Sequence, residues 1–309
     1  MTNRTVGGLW RTVFAGMARV VAIVLVLGLA GCDRALEVMR SDAELDPAAT
    51  NLVQCCADPE RYPRWMVEMV EPLMQLAGPS ISRAQTRPGF LSARPEAQAL
   101  LLQHARPFDV MLFQMSARLS GSLLPGHFSH SGLYLGDERK LRAAGLWEDP
   151  ALDPFRARIG QKHLILDSVT GGVREADRHE VFDFDAIALV RPSARVIGDR
   201  HAALRRALAA VGTPFDHSFD LDTSERLFCL EFVCKVLPEM DIPKRRVFGR
   251  RTVLPDRVAA MALTGKGGLR VIGYLRSGPW GWQTATGAMM AEDIHRAWQS
   301  RRLRPVERP

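Results

Sequence analysis

The sequence predicts an α+β fold in which a small, largely antiparallel sheet packs against helices. Three observations carry that expectation. Apolar residues recur at helical spacing before residue 104 and again after residue 199. Between them stand four short apolar runs flanked by Gly, Asp and Pro, which is the pattern of strands. A hydrophobic share of 47% over 309 residues is enough for a packed core. The chain divides into a leader (1–31), a tether (32–58), an N-terminal helical segment (59–106), a core (107–240), and a basic loop with a C-terminal helical extension (241–309). No internal repeat or low-complexity segment interrupts this order.

Arg4, Arg11 and Arg19 precede an uncharged apolar stretch from Val20 to Gly31, which ends in Leu29-Ala30-Gly31-Cys32. The stretch is shorter than the roughly 20 residues a membrane span needs, so it reads as a secretion signal. Its ending resembles a bacterial lipobox, which implies lipidation of Cys32 and a mature chain of 278 residues (309 − 31). More than one acyl chain on that cysteine anchors a protein stably to a membrane without spanning it. Asp33 resembles a signal for retention in the inner membrane, so the expected place is the periplasmic face of the cell envelope, with the inner membrane favoured over the outer. Loss of the leader removes three arginines and no acid, taking the formal charge from +7 to +4 (7 − 3). That balance suits anionic headgroups or cell-wall carboxylates, and export argues against a nucleic-acid partner.

Residues 33–58 show no amphipathic period. Trp65, Met66, Met69, Val70, Leu73 and Met74 give helical spacing over Pro63–Leu76, with Pro72 a site of kinking or termination. Pro95 to Leu102 forms a second helix with proline in its first turn and Ser92 or Arg94 before it. Strands follow at Val110–Phe113, Ser131–Leu135, Leu164–Leu166 and Ala186–Val190. Helical patterns return at Asp199–Val211 and Cys229–Leu237, the latter stopped by Pro238. Asp222 with Glu225 forms a capping-box pattern ahead of Cys229, and Ser224 is a competing cap. The tail, with Trp280, Trp282, Met289, Met290, Ile294 and Trp298, adds a last helix packed on the core. Lys244-Arg245-Arg246 and Arg250-Arg251 read as a solvated loop.

Chemistry concentrates in two segments. His130 lies in Ser129-His130-Ser131-Gly132, and Cys229 lies in Phe228-Cys229-Leu230-Glu231-Phe232. A thiol becomes a strong nucleophile near neutral pH only when a base or positive charge favours the thiolate over its free pKa of roughly 8.5. His130 is the candidate base. Strand alternation puts His130, Gly132 and Tyr134 on one face and Leu133 and Leu135 on the other, with the glycine leaving open space beside the imidazole. His127 falls on the opposite face, so the two histidines do not make a metal site, and neither metal nor cofactor is expected. Asp167, closing Leu164-Ile165-Leu166-Asp167, either orients the imidazole or opens the turn toward Thr170-Gly171-Gly172. Asp109 is read as satisfying backbone donors at a turn, and Glu231 as a packing or capping partner. Asp216 and Phe219 either support the helix of Cys229 or serve as turn and core residues.

These residues, with the Gly212-Thr213-Pro214-Phe215-Asp216 turn, resemble the permuted papain-like amidases of the YaeF/YiiX type over about Pro107–Leu237. Histidine precedes cysteine here, as a circular permutation of the papain order gives. The resemblance implies a circularly permuted papain-like (NlpC-like) fold and a cysteine hydrolase with Cys229 as nucleophile, His130 as base and Asp167 as the orienting third member. Phe228 and Leu230 stand where the family often has tyrosine and serine, and Asp167 where glutamate is common. The implied substrate is an amide, with cell-wall peptides the natural choice for a periplasmic enzyme. Two alternatives keep the same residues: a lipid acyl hydrolase or transferase, and a non-catalytic envelope lipoprotein using the fold as a binding module. Cys55, Cys56 and Cys234 remain, an odd number from which no pairing follows, and Cys234 faces away from Cys229 on a helix.

Overall fold

The structure, a computed structural model, describes residues 84–118, 126–159, 162–223, 225–247 and 250–302, with Leu52 and Ser80 besides. The lipobox with Cys32, the tether apart from Leu52, the helix expected at Pro63–Leu76, Cys55, Cys56 and Ser224 lie outside the described residues.

Seven strands form one sheet: β1 (Asp109–Gln114), β2 (His130–Gly136), β3 (Leu164–Val169), β4 (Gly172–Glu175), β5 (Ala186–Pro192), β8 (Leu269–Gly278) and β9 (Gly281–Thr284). Their order is β4-β3-β2-β1-β5-β8-β9, and every pairing is antiparallel. A separate two-stranded ribbon joins β6 (Arg245–Val247) and β7 (Arg250–Thr252).

Alternation along the strands divides the core. Val110, Leu112, Leu133, Leu135, Leu164, Leu166, Ala188 and Val190 face one side. On that side they pack with helices α2 (Arg200–Ala209), α3 (Cys229–Val236), α4 (Pro255–Leu263) and α5 (Gly287–Arg302). Met111, Phe113, Tyr134, Ile165, Ile187 and Leu189 face the other side, beneath α1 (Pro95–His104). Helix α1 starts at Pro95, where the missing N–H costs nothing because a first-turn donor has no intrahelical partner.

Several features differ from the sequence expectation, among them β4 and the helices Glu138–Ala143 and Asp153–Ile159, which no local pattern had suggested. The region after residue 241 contributes strands as well as a helix: β8 pairs with β5 along its length, so the sheet continues through the expected extension. Leu269, Val271, Ile272, Tyr274 and Leu275 are an apolar run of strand length, interrupted by Arg270 and Gly273. Trp282 lies on β9 and Trp280 in the exposed turn before it; of the tail residues named, Met289, Met290, Ile294 and Trp298 belong to α5. The basic segment is a two-stranded ribbon rather than a loop, because β6 and β7 pair through their backbones; Lys244, Arg246 and Arg251 are exposed as expected, Arg251 pairs with Asp222, and Arg250 donates to Ser218 O at 2.8 Å.

Asp109 accepts from the backbone N–H of Arg106 at 2.7 Å, which is the turn role expected of it. It also takes a bidentate pair from Arg191, at 2.8 and 2.6 Å, across β1 and β5.

Candidate active site

Helix α3 begins at Cys229 itself. Phe228 is its N-cap with extended backbone (φ −83°, ψ 171°), and its N–H donates to Glu231 Oε2 at 3.3 Å. Asp222 and Glu225 therefore do not cap the helix: Asp222 is engaged by Arg251, and the chain stays irregular until Phe228. The shift matters chemically. Cys229 sits in the first turn, where unpaired backbone N–H groups and the helix dipole favour an anion.

Several bonds hold the segment that delivers Cys229 to the sheet. Leu227 N–H donates to Pro214 O at 2.9 Å, and Ser168 Oγ on β3 donates to Leu227 O at 2.6 Å. The preceding Gly212-Thr213 turn pairs with β4, through Gly212 N–H to Val173 O and Val173 N–H to Thr213 O, both 2.8 Å. Gly172 has φ +109°, and a Cβ there would come within 2.4 Å of Thr213 O, so this approach requires glycine. Asp216 accepts from Ser218 N at 2.8 Å, Asp220 N at 3.0 Å and Thr223 Oγ1 at 3.0 Å, which folds the loop ahead of the helix. The ring of Phe219 packs against that of Phe228, with centroids 5.6 Å apart. Both residues thus do structural work for the helix start. Leu230 and Phe228, the departures from the family pattern, are fully buried in the core and do not line a cleft.

His130 begins β2, opposite Phe113. Its ring stacks on Phe113 and Phe184, with centroids 5.4 and 6.0 Å away. Its Nε2 lies 3.2 Å from Asp167 Oδ2, and its side chain hydrogen-bonds Cys229. With Nε2 on Asp167, Nδ1 is the nitrogen left for the thiol. Gly132 pairs with Asp167 across β2 and β3. A Cβ at Gly132 would lie 3.2 Å from Leu166 O, 3.4 Å from the Phe113 ring and 3.7 Å from Asp167 Cβ. The glycine therefore admits the third member and the ring under the imidazole, instead of leaving open space.

The site polarises itself. Burial pushes the His130 pKa down, but the hydrogen bonds that His130 donates to Asp167 and Cys229 outweigh it, and the net effect raises His130 to about 9. Burial pushes the Cys229 thiol up, while the His130 hydrogen bond and charge, then Ser131, bring it below its ordinary range. Both shifts favour a thiolate–imidazolium pair. Asp167 is shared with Arg174, whose Nε lies 3.3 Å from Oδ1 and which also pairs with Glu180. Replacing Asp167 with Asn is expected to lower the His130 pKa and raise that of Cys229. Peptide-resolved iodoacetamide labelling in acid should then slow by roughly tenfold for each unit the thiol rises. An unchanged pH profile would make Asp167 a turn residue.

Sequence reasoning found His130, Cys229 and Asp167, and the structure brings them together. It missed Ser131, Arg174, Phe113 and Phe184, which come from three strands and a loop. Only Ser131, next to His130, had a signal in the sequence. Glu231, read as a capping partner, takes that role, and burial raises its pKa to about 7. Cys234 is a half-buried free thiol pushed up to about 12 by burial, unlike its neighbour Cys229.

His127 lies on the sheet face opposite His130. Tyr274 OH donates to Asp293 Oδ2 at 2.7 Å, so its oxygen accepts from His127 Nε2–H at 2.8 Å. Burial lowers His127 to about 4, keeping it neutral. Among the described residues no group of three or more metal-ligating side chains converges.

A model of one family, described as permuted papain-like amidase enzyme, YaeF/YiiX, C92 family, matches residues 104–299, so the match includes β8, β9 and most of α5. No curated protein and no solved structure matches the chain. A match over more than half of the 309 residues, on an α+β fold of this topology, makes this chain a member of the permuted papain-like amidase family of the YaeF/YiiX type.

Proposed function

We propose that the chain hydrolyses an amide bond in cell-wall peptides, working from the envelope through a lipid on Cys32, with Cys229 as nucleophile, His130 as acid and base, and Asp167 as the group that orients His130. The observation that carries this reading is the geometry: Cys229 opens α3 with its sulfur hydrogen-bonded to His130, whose Nε2 lies 3.2 Å from Asp167 Oδ2, and the opposed shifts of His130 upward and Cys229 downward agree with it. The Cys229 thiolate attacks the carbonyl carbon, and the oxyanion is stabilised by the free N–H groups in the first turn of α3. Imidazolium His130 gives its proton to the leaving amine as the C–N bond breaks, leaving a thioester. Neutral His130 then takes a proton from water, the hydroxide adds to the thioester, and the thiolate leaves with the free acid formed.

The test is incubation of the full-length protein with purified cell-wall peptides and with lipid esters, followed by mass spectrometry. A peptide cleaved with the gain of one water, at a rate that falls at least about 10³-fold in Cys229→Ala, supports the reading. Cleavage of the lipid esters alone moves the substrate to acyl lipids. Cleavage that survives Cys229→Ala overturns the mechanism.

A further inference from the structure

At the far end of the sheet from His130, a groove of about 950 Å³ runs between the start of β1 and the end of β5. Strand β2 separates the two places. Its six steps from His130 to Gly136 span roughly 20 Å, so the groove is no part of the cleft at Cys229. Among its lining residues are six basic side chains, Arg106, Arg139, Lys140, Arg191, Arg200 and Arg270, and no acidic one.

The six divide into two groups. Lys140 donates to Leu102 O and Ala105 O at the end of α1, and Arg191 is bound to Asp109 and to His104 O. These two charges are spent within the fold. Arg106, Arg139, Arg200 and Arg270 are exposed, and none forms an ion pair or side-chain hydrogen bond among the described residues. They come from four separate segments: the turn before β1, the helix after β2, the start of α2 and the start of β8. Sequence clustering does not reveal them; the topology gathers them. Four guanidinium groups with no side-chain partner among the described residues, each a planar fork suited to phosphate oxygens, surround a floor that includes Pro107, Pro192, Ile197 and Ile272.

We propose that this groove binds the phosphate of an anionic phospholipid headgroup at a membrane surface. The charge is complementary to such a surface, and the apolar floor accommodates the glycerol and the first methylenes beneath the phosphate, which a free phosphate does not need. Bound this way, the chain faces the membrane with one end of its sheet and holds Cys229 at the other. The proposal is independent of the hydrolytic reading.

Flotation of the full-length chain with phosphatidylglycerol-containing vesicles and with pure phosphatidylcholine vesicles tests it. The N-terminal apolar stretch contributes to both and is unchanged by mutation, so the readout is the preference for phosphatidylglycerol. Arg139→Glu with Arg270→Glu is expected to reduce that preference by about tenfold or more, and Arg139→Gln with Arg270→Gln by less. Thermal melting checks that the exposed substitutions leave the fold intact. Cys229→Ala should keep the full preference, which separates failure here from failure of the hydrolase reading. A preference identical in wild type and both double variants overturns the proposal. So does submillimolar binding of inorganic phosphate that the same substitutions abolish, which would assign the groove to a soluble phosphate.

Discussion

Iodoacetamide should alkylate Cys229 at pH 6 at least about tenfold faster in the wild-type chain than in His130→Ala. The reason is the competition at the sulfur. Cys229 is 4% exposed, and burial by itself disfavours a thiolate. The imidazolium overrides that, since His130 keeps its proton up to about pH 9 while the thiol pKa lies below its ordinary range. Between those two limits the site holds a thiolate beside a cation. Falling pH protonates the sulfur and labelling declines, whereas above about pH 9 His130 loses its proton, the thiolate remains, and labelling stays high. The profile therefore has an acid limb only. Without the imidazole, burial has no opponent other than Ser131 and the start of the helix, and the limb moves to higher pH than for a free thiol. His130→Gln retains most of the ring's volume between Phe113 and Phe184 and should behave like the alanine variant. Peptide-resolved mass spectrometry separates Cys229 from Cys234, whose thiol stays protonated. Equal rates in wild type and both variants would show an inert cysteine and leave the fold as a binding module.

Residues whose role depends on local pattern were legible in the sequence. The apolar runs of β1, β2, β3 and β5 follow from alternation and their flanking breakers, and they placed His130 and Asp167 on strands that turned out to be paired. The start of α3 was not legible, because Asp222 and Glu225 form a good capping pattern that long-range partners cancel: Arg251 takes Asp222, and Leu227 is tied to Pro214 and Ser168. Strand β8 has a suitable apolar run, but its place beside β5 is a pairing some eighty residues distant in the chain, which no local period encodes. The same limit hid Phe184 from the site, whereas Arg174 lies seven residues from Asp167 across the β3–β4 hairpin and was missed because Gly172–Glu175 was not read as a strand. The nearness of Phe184 to His130 arises from sheet order and a loop.

The second large effect is expected far from the sulfur, at Asp256. This carboxylate is fully buried at the first turn of α4; it accepts from Phe128 N–H on Oδ1 at 2.7 Å, and from His127 N–H and Trp298 Nε1–H on Oδ2 at 2.7 and 2.8 Å. It thereby ties the segment leading into β2 to α4 and α5. Gly126 marks how close the approach is, since a Cβ there would lie 2.4 Å from Asp256 Oδ2 and its φ is +119°. Asp256→Ala leaves two backbone donors and one indole donor without partners inside the protein, at about 1–3 kcal/mol for each such group. Because the three share one cavity and relax together, the total expected is about 3–5 kcal/mol, which is roughly 6–20 °C in Tm for a domain of this size. Asn is a partial remedy: with its oxygen in the Oδ2 position it still accepts from His127 N–H and Trp298 Nε1–H, and its NH2 then faces Phe128 N–H, so it should cost less than Ala. Trp298→Phe removes only one donor and keeps both backbone bonds, so it should cost about 1–2 kcal/mol. Calorimetry of the three variants gives this order directly. The folded fraction of Asp256→Ala, well below its Tm, should still label at Cys229 in acid, because Asp256 holds the strand and does not touch the thiol–imidazole pair. A variant with unchanged Tm and lost labelling would place Asp256 in the catalytic electrostatics instead.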